Sequence, residues 1–160
     1  MIHFVLDNIS SLSQFIFNRN INIGNDKVSF YYLSIIKHKD INNYSIHGLW
    51  PQYTTNSFPS YCNNVSFSIE KLNPIIKELN LYWYATENKN SDFWKHEYEK
   101  HGSCMGIKLS EYDYFKKTID LYKLVLNSNI IEQYNDNEDS NKILIPISLD
   151  FIIMDKITHV

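Results

Sequence analysis

The segment Phe93-Trp94-Lys95-His96-Glu97-Tyr98-Glu99-Lys100-His101-Gly102 sets two ionisable pairs four residues apart, Glu97 with His101 and His96 with Lys100. On a helix both pairs share one broad face. Opening a phosphodiester by its own neighbouring hydroxyl, as RNA allows, needs a base for that hydroxyl, an acid for the leaving oxygen and positive charge against the phosphorane. The face supplies base and charge. The acid must come from another segment, and His47, shortly before Trp50 and Pro51, is the candidate.

Two blander readings stand beside this one. Glu and Lys at helical spacing also make an ordinary solvated surface, and a strand histidine is commonly a satisfied structural residue. A zinc-protease helix is disfavoured, because His96 and His101 are five apart rather than the four that aligns two ligands. A two-histidine, one-carboxylate metal site on His96, Glu97 and His101 stays open.

The elements that would position these residues can be read from patterning. Val28 to Ile36, rich in Phe, Tyr and Ile, reads as a half-buried strand, and Tyr44 to Trp50 as a second that Pro51 ends. Gln52 to Asn64 reads as loop. Asn73 as cap and Pro74 in the first turn predict a helix carrying Ile75, Ile76 and Leu79, while Leu81 to Ala85 is ambiguous. Ser91-Asp92 as a start and Gly102 as a stop predict a helix over Asp92 to His101. Ser110 with Asp113 opens another, whose Phe115, Ile119, Tyr122 and Leu126 form a core-facing stripe. Asn135 to Asn141 reads as a solvated acidic loop that lacks the glycine and terminal glutamate of an EF-hand. Ile143 to Met154, apolar and β-branched, reads as strand. Trp83 and Trp94 are assigned to the core.

Length and charge set the outer limits. A chain of 160 residues is expected to fold as one domain, residues 1–160. Its net charge of −3 gives no global basic field for coating long nucleic acid, yet permits local positive charge at one phosphate. No apolar run is long enough to span a bilayer, so no membrane partner is expected. Met1 to Phe17 lacks the pattern of a signal peptide. Cys62 and Cys104 exclude a four-cysteine zinc site and a CxxC pair, and leave one disulfide or two thiols. Asn8, Asn43 and Asn64 begin glycosylation sequons, which an Asn-rich chain also yields by chance.

Ser45-Ile46-His47-Gly48-Leu49-Trp50-Pro51 resembles the first active-site segment of the ribonuclease T2 family, and Phe93 to Cys104 resembles the second. The resemblance runs on through Glu111-Tyr112-Asp113-Tyr114-Phe115 and covers about Phe30 to Gln133. It implies an α+β fold: a central antiparallel sheet carrying His47, with helices packed mainly on one side carrying Glu97 and His101. It implies an endoribonuclease acting as a monomer on single-stranded RNA, without metal or cofactor, through a 2′,3′-cyclic phosphate. His101 would be the general base and His47 the general acid, with Glu97 and Lys100 stabilising the phosphorane and His96 holding the phosphate. Trp50 would stack on a base, against the simpler reading of a core tryptophan closing the strand. The resemblance also pairs Cys62 with Cys104, and thereby favours a secreted or otherwise oxidising location. The rival implication is a family member that keeps the site but serves as an interaction or RNA-binding protein without turnover.

The departures from the family pattern are local. Ile36-Lys37-His38-Lys39 stands where a Gln-Trp-Pro segment and a cysteine are usual, which puts base binding there in doubt. The C-terminal third is short and has no cysteine. Tyr98 replaces a usual Trp, and Ser103 a usual Thr.

Overall fold

A computed structural model describes residues 27–39, 42–135 and 140–156. The readings made on Met1 to Phe17, including the sequon at Asn8, and on most of the acidic loop after Asn135 lie outside the described residues. Strands β1 (Phe30–His38), β2 (Asn43–Gln52) and β3 (Lys142–Ile147) form an antiparallel sheet in the order β2-β1-β3. Between β2 and β3 come a 3-10 turn over Ile69–Ile75 that continues into α1 (Ile76–Tyr82), then α2 (Asn90–Lys100), α3 (Glu111–Leu126) and α4 (Ile130–Tyr134).

Alternation in β1 decides which face of the sheet is covered. Tyr31, Leu33 and Ile35 are fully buried, and their cross-strand partners Ile147, Ile145 and Ile143 on β3 share that face. On β2, Leu49 stands opposite Leu33 and Ile46 opposite Ile35. α3 closes this apolar layer with Tyr114, Phe115, Ile119, Tyr122 and Val125. Leu126, expected in that stripe, is exposed instead, and Val125 takes its place. Two tyrosines also tie α3 to β2, the Tyr114 hydroxyl donating to the Leu49 carbonyl at 3.1 Å and that of Tyr122 to the Tyr44 carbonyl at 2.8 Å. Ser110 caps α3 as expected, its Oγ accepting from the Asp113 N–H at 3.1 Å.

Other boundaries differ from the sequence reading. Pro51 does not end β2, which runs on to Gln52; as an edge strand β2 tolerates a residue that cannot donate on its free side. Pro74 lies inside the 3-10 turn, and the helix proper begins after it. α2 starts at Asn90, with Lys89 rather than Ser91 in the cap position. The last strand stops at Ile147, and the chain turns back so that Ile153 bridges to Ile147.

Candidate active site

α2 has two working faces. Its inner face buries Trp94 and Tyr98 against Trp83, Tyr114 and Phe115, with the Trp94 indole N–H donating to the Trp83 carbonyl at 2.7 Å. That anchorage fixes the helix rotation and turns Glu97, Lys100 and His101 toward the sheet. His101 caps the helix, its N–H returning to the Glu97 carbonyl at 2.9 Å. The end of α2 is held from outside as well. Cys62 and Cys104 form a disulfide, and the Asn63 amide donates to the Ser103 carbonyl at 2.8 Å.

The opposite wall comes from β2, where the ladder is irregular. Gly48 faces Ser34 and Ile46 faces Ile35, so His47 is an extra residue without a partner on β1, a β-bulge. In a regular strand His47 and Trp50, three apart, would point to opposite faces. The extra residue resets the phase, and both side chains open onto one cavity of about 370 Å³ with their rings 4.9 Å apart. Gly48, between them, leaves room for the helix: a Cβ there would collide with the Glu97 carboxylate and lie 2.5 Å from the Trp50 indole nitrogen.

In this cavity Glu97 stands between the two imidazoles. His47 Nε2 is 3.7 Å from Glu97 Oε1, and His101 Nε2 is 4.0 Å from Glu97 Oε2. The Trp50 indole N–H donates to Glu97 Oε2 at 2.9 Å, and the Trp50 ring stacks on His101 at 5.2 Å. Neither histidine Nδ1 has a partner among the described residues, so no carboxylate orients either ring from behind. Lys100 and the exposed His96 line the same cavity.

Burial outweighs the attraction between carboxyl and imidazoles. It pushes the Glu97 carboxyl up to about 7, against the Trp50 hydrogen bond and the charges of Lys100 and Lys142, which pull it down. It pushes His47 down to about 4, aided by Lys142, Lys100 and His96, and His101 down to about 3, aided by Lys100, His96 and His47. The cavity is therefore poised for an anion, because negative charge placed among these groups restores protons to the imidazoles.

All six residues expected at the site from sequence, His47, Trp50, His96, Glu97, Lys100 and His101, line this one cavity. Sequence reasoning missed four others on its wall: Gln52, Phe58, Phe93 and Lys142. Phe93 sits one turn before Glu97 on the motif itself and lies 5.6 Å from the His47 ring, a signal that was available. Lys142 had none, since it arrives on a strand about forty residues after the helix. Among the described residues no three His, Cys, Asp or Glu side chains are grouped to hold a metal ion.

The model of the Ribonuclease T2 family matches residues 25–143. The chain belongs to the ribonuclease T2 family. The T2 match takes in both walls of the cavity and ends at Ile143, just after Lys142. Among curated relatives the chain is 38% identical over 89 residues to ribonuclease DdI of Dictyostelium discoideum, covering 54% of this chain and 40% of that protein. It is 31% identical over 103 residues to a ribonuclease-like storage protein of Panax ginseng, covering 60% and 43%. The chain thus spans under half the length of these T2 relatives. In three dimensions it resembles RNase NT, solved in complex with 5′-AMP, with a TM-score of 0.63 over 84% of this chain and 94% of that one at 18% identity, a likeness of fold. The α+β architecture expected for a T2 protein, with an antiparallel sheet and helices laid mainly on one side, is the one observed.

Proposed function

We propose that this chain is an endoribonuclease that opens single-stranded RNA by transphosphorylation, with His101 as base and His47 as acid. The observation that carries the reading is the placing of two imidazoles on either side of one buried carboxyl, in a cavity that also holds Lys100 and His96. The relatives, ribonucleases among them, and the nucleotide bound to RNase NT support RNA as the substrate.

The chemistry follows from the arrangement. His101 Nε2 takes the proton of the ribose 2′-hydroxyl, O2′ attacks phosphorus, and the P–O5′ bond breaks as His47 Nε2 gives its proton to the leaving O5′. The products are a 2′,3′-cyclic phosphate and a 5′-hydroxyl. In the slower second stage the roles reverse: His47 accepts a proton from water, the water oxygen attacks phosphorus, and His101 protonates the departing O2′. Glu97 and Lys100 meet the charge that builds on the phosphorane, and His96 holds the phosphate. Trp50 offers a face for a base, an interaction worth about 1–3 kcal/mol. A phosphate among Lys100, His96 and His47 opposes the cations that depress His47, so substrate itself raises the proton occupancy of the acid.

The decisive experiment is incubation of purified protein with homopolymer RNA in EDTA, following release of 2′,3′-cyclic phosphate ends. Cleavage that persists in chelator and disappears in the His101→Ala variant is the expected result. Intact RNA would favour the second reading, an interaction or storage role without turnover, to which the name of the ginseng relative lends support. Cleavage abolished by EDTA and restored by zinc or magnesium would replace the acid–base scheme with a metal-bound nucleophile.

A further inference from the structure

Lys142 opens β3 and stands opposite Ile36 of β1. Trp50 and Gly48 of β2 stand opposite Tyr32 and Ser34, four and two residues back along β1, so all three lie on the same face of the sheet. From there the ammonium reaches across to 5.1 Å from the centre of the Trp50 ring and joins His47, Glu97 and Lys100 in lining the cavity. Among the described residues it has no carboxylate partner. Among the charges acting on His47, that of Lys142 comes ahead of Lys100.

We propose that Lys142 is a third side chain of the phosphate site, reaching in from the sheet to hold the scissile phosphate against His96 and Lys100 of the helix. The proposal rests on the ribonuclease reading and adds a residue to it. His96 and Lys100 are neighbours on one face of α2 and approach a phosphate from one side. Lys142 comes from a different element, which converts that one-sided approach into a clamp between helix and sheet. In the free protein the ammonium rests over the Trp50 ring, a contact worth about 0.5–1 kcal/mol at exposed sites. A charge-assisted bond to a phosphate oxygen is stronger. Arrival of substrate therefore draws Lys142 off the indole as the base settles on it, so that base stacking and phosphate capture become one exchange.

The test compares wild type, Lys142→Gln and Lys142→Arg on a dinucleoside monophosphate, which contains a single phosphate. At low salt Lys142→Gln should lower kcat/KM by roughly tenfold, less than the 10²–10³ of a buried oxyanion donor because the lysine is solvent-exposed. The loss should fall mainly on kcat, Lys142→Arg should restore most of it, and the alkaline limb of kcat/KM should move to higher pH in the Gln variant as His47 is relieved of a neighbouring charge. Unchanged dinucleotide turnover with weakened cleavage of long RNA would overturn the proposal in favour of contact with a flanking phosphate. A drop in melting temperature with unaltered kinetics and no rescue by Arg would overturn it in favour of a purely structural lysine. Inorganic phosphate, titrated while the His47 and His101 imidazole signals are followed by NMR, gives a second arm that needs no turnover. Affinity at least about threefold weaker in Lys142→Gln is expected for loss of one partly screened charge, and equal affinity, or none in the wild type, would refute it. Should wild-type protein leave RNA whole, the ribonuclease reading falls by itself while the phosphate arm still decides the role of Lys142.

Discussion

The two faces of α2 are built on opposite terms. The inner face is apolar and satisfied: Trp94 is buried with its N–H bonded, and Tyr98 packs into an aromatic cluster with Tyr114 and Phe115. The outer face buries a carboxyl and an imidazole, each pushed toward its neutral form, and leaves His101 Nδ1 without a partner among the described residues. One helix can carry such a face because the other holds it in place. Stability is concentrated on the inner side, and the capacity for proton transfer is concentrated on the outer side, where stability is given up.

That contrast can be broken by mutation. The largest effect is expected for His47→Ala and His101→Ala, each lowering RNA cleavage by about 10²–10⁴-fold, with a melting temperature equal to or above wild type; cyclic-phosphate release and calorimetry report the two halves. Trp94→Ala on the inner face should do the reverse, costing about 3–5 kcal/mol in urea unfolding, with near-normal kcat in the fraction that stays folded. Replacing Cys62 and Cys104 by serine opens a loop with a sequence separation of 42, and should cost about 4 kcal/mol in the chain-entropy model, also read by urea unfolding.

Glu97→Gln sharpens the comparison, because stability and activity should move in opposite directions. The carboxyl is raised from 4.5 to about 7 in the folded protein. A raised folded value means that Glu97 favours folding below 4.5 and loses that contribution as pH climbs through about 7. The neutral amide escapes the loss, so the variant should be more stable than wild type at pH 8.5 by up to about 3 kcal/mol and no different near pH 4, while turnover falls more than binding. The smallest effect concerns pH. With His47 and His101 both lowered, to about 4 and about 3, the acid and alkaline limbs of kcat/KM both move below the ordinary histidine value of 6.5. The alkaline limb of kcat should lie higher, since bound phosphate raises His47; stopped-time assays across the acid range will show whether the two limbs separate.

The two walls of the cavity were not equally legible in the sequence. His96, Glu97, Lys100 and His101 fall within the last two turns of one helix and its cap, so their spacing alone put them together. His47 and Trp50 were found through their resemblance to a family motif; strand periodicity would have assigned them to opposite faces, because a bulge is invisible to a period of two. Lys142 lay out of reach, since its place depends on β3 pairing with β1 across more than a hundred residues. The core strand β1 and the helix stripe of α3 were readable from their periods, whereas Pro51 misled because whether a proline can stay in a strand depends on which strands flank it.

His47 has no partner on β1, while Ile46 and Gly48 are already matched to consecutive residues Ile35 and Ser34. Loss of the single codon for His47 would therefore close the ladder into a regular hairpin without shifting the register on either side, and Ile46 and Leu49 would keep their places in the core. The acid of the proposed reaction is the one residue in the strand that the fold can lose without rearranging. One in-frame deletion would thus remove the proposed acid and leave the pairing of β1 with β2 in register.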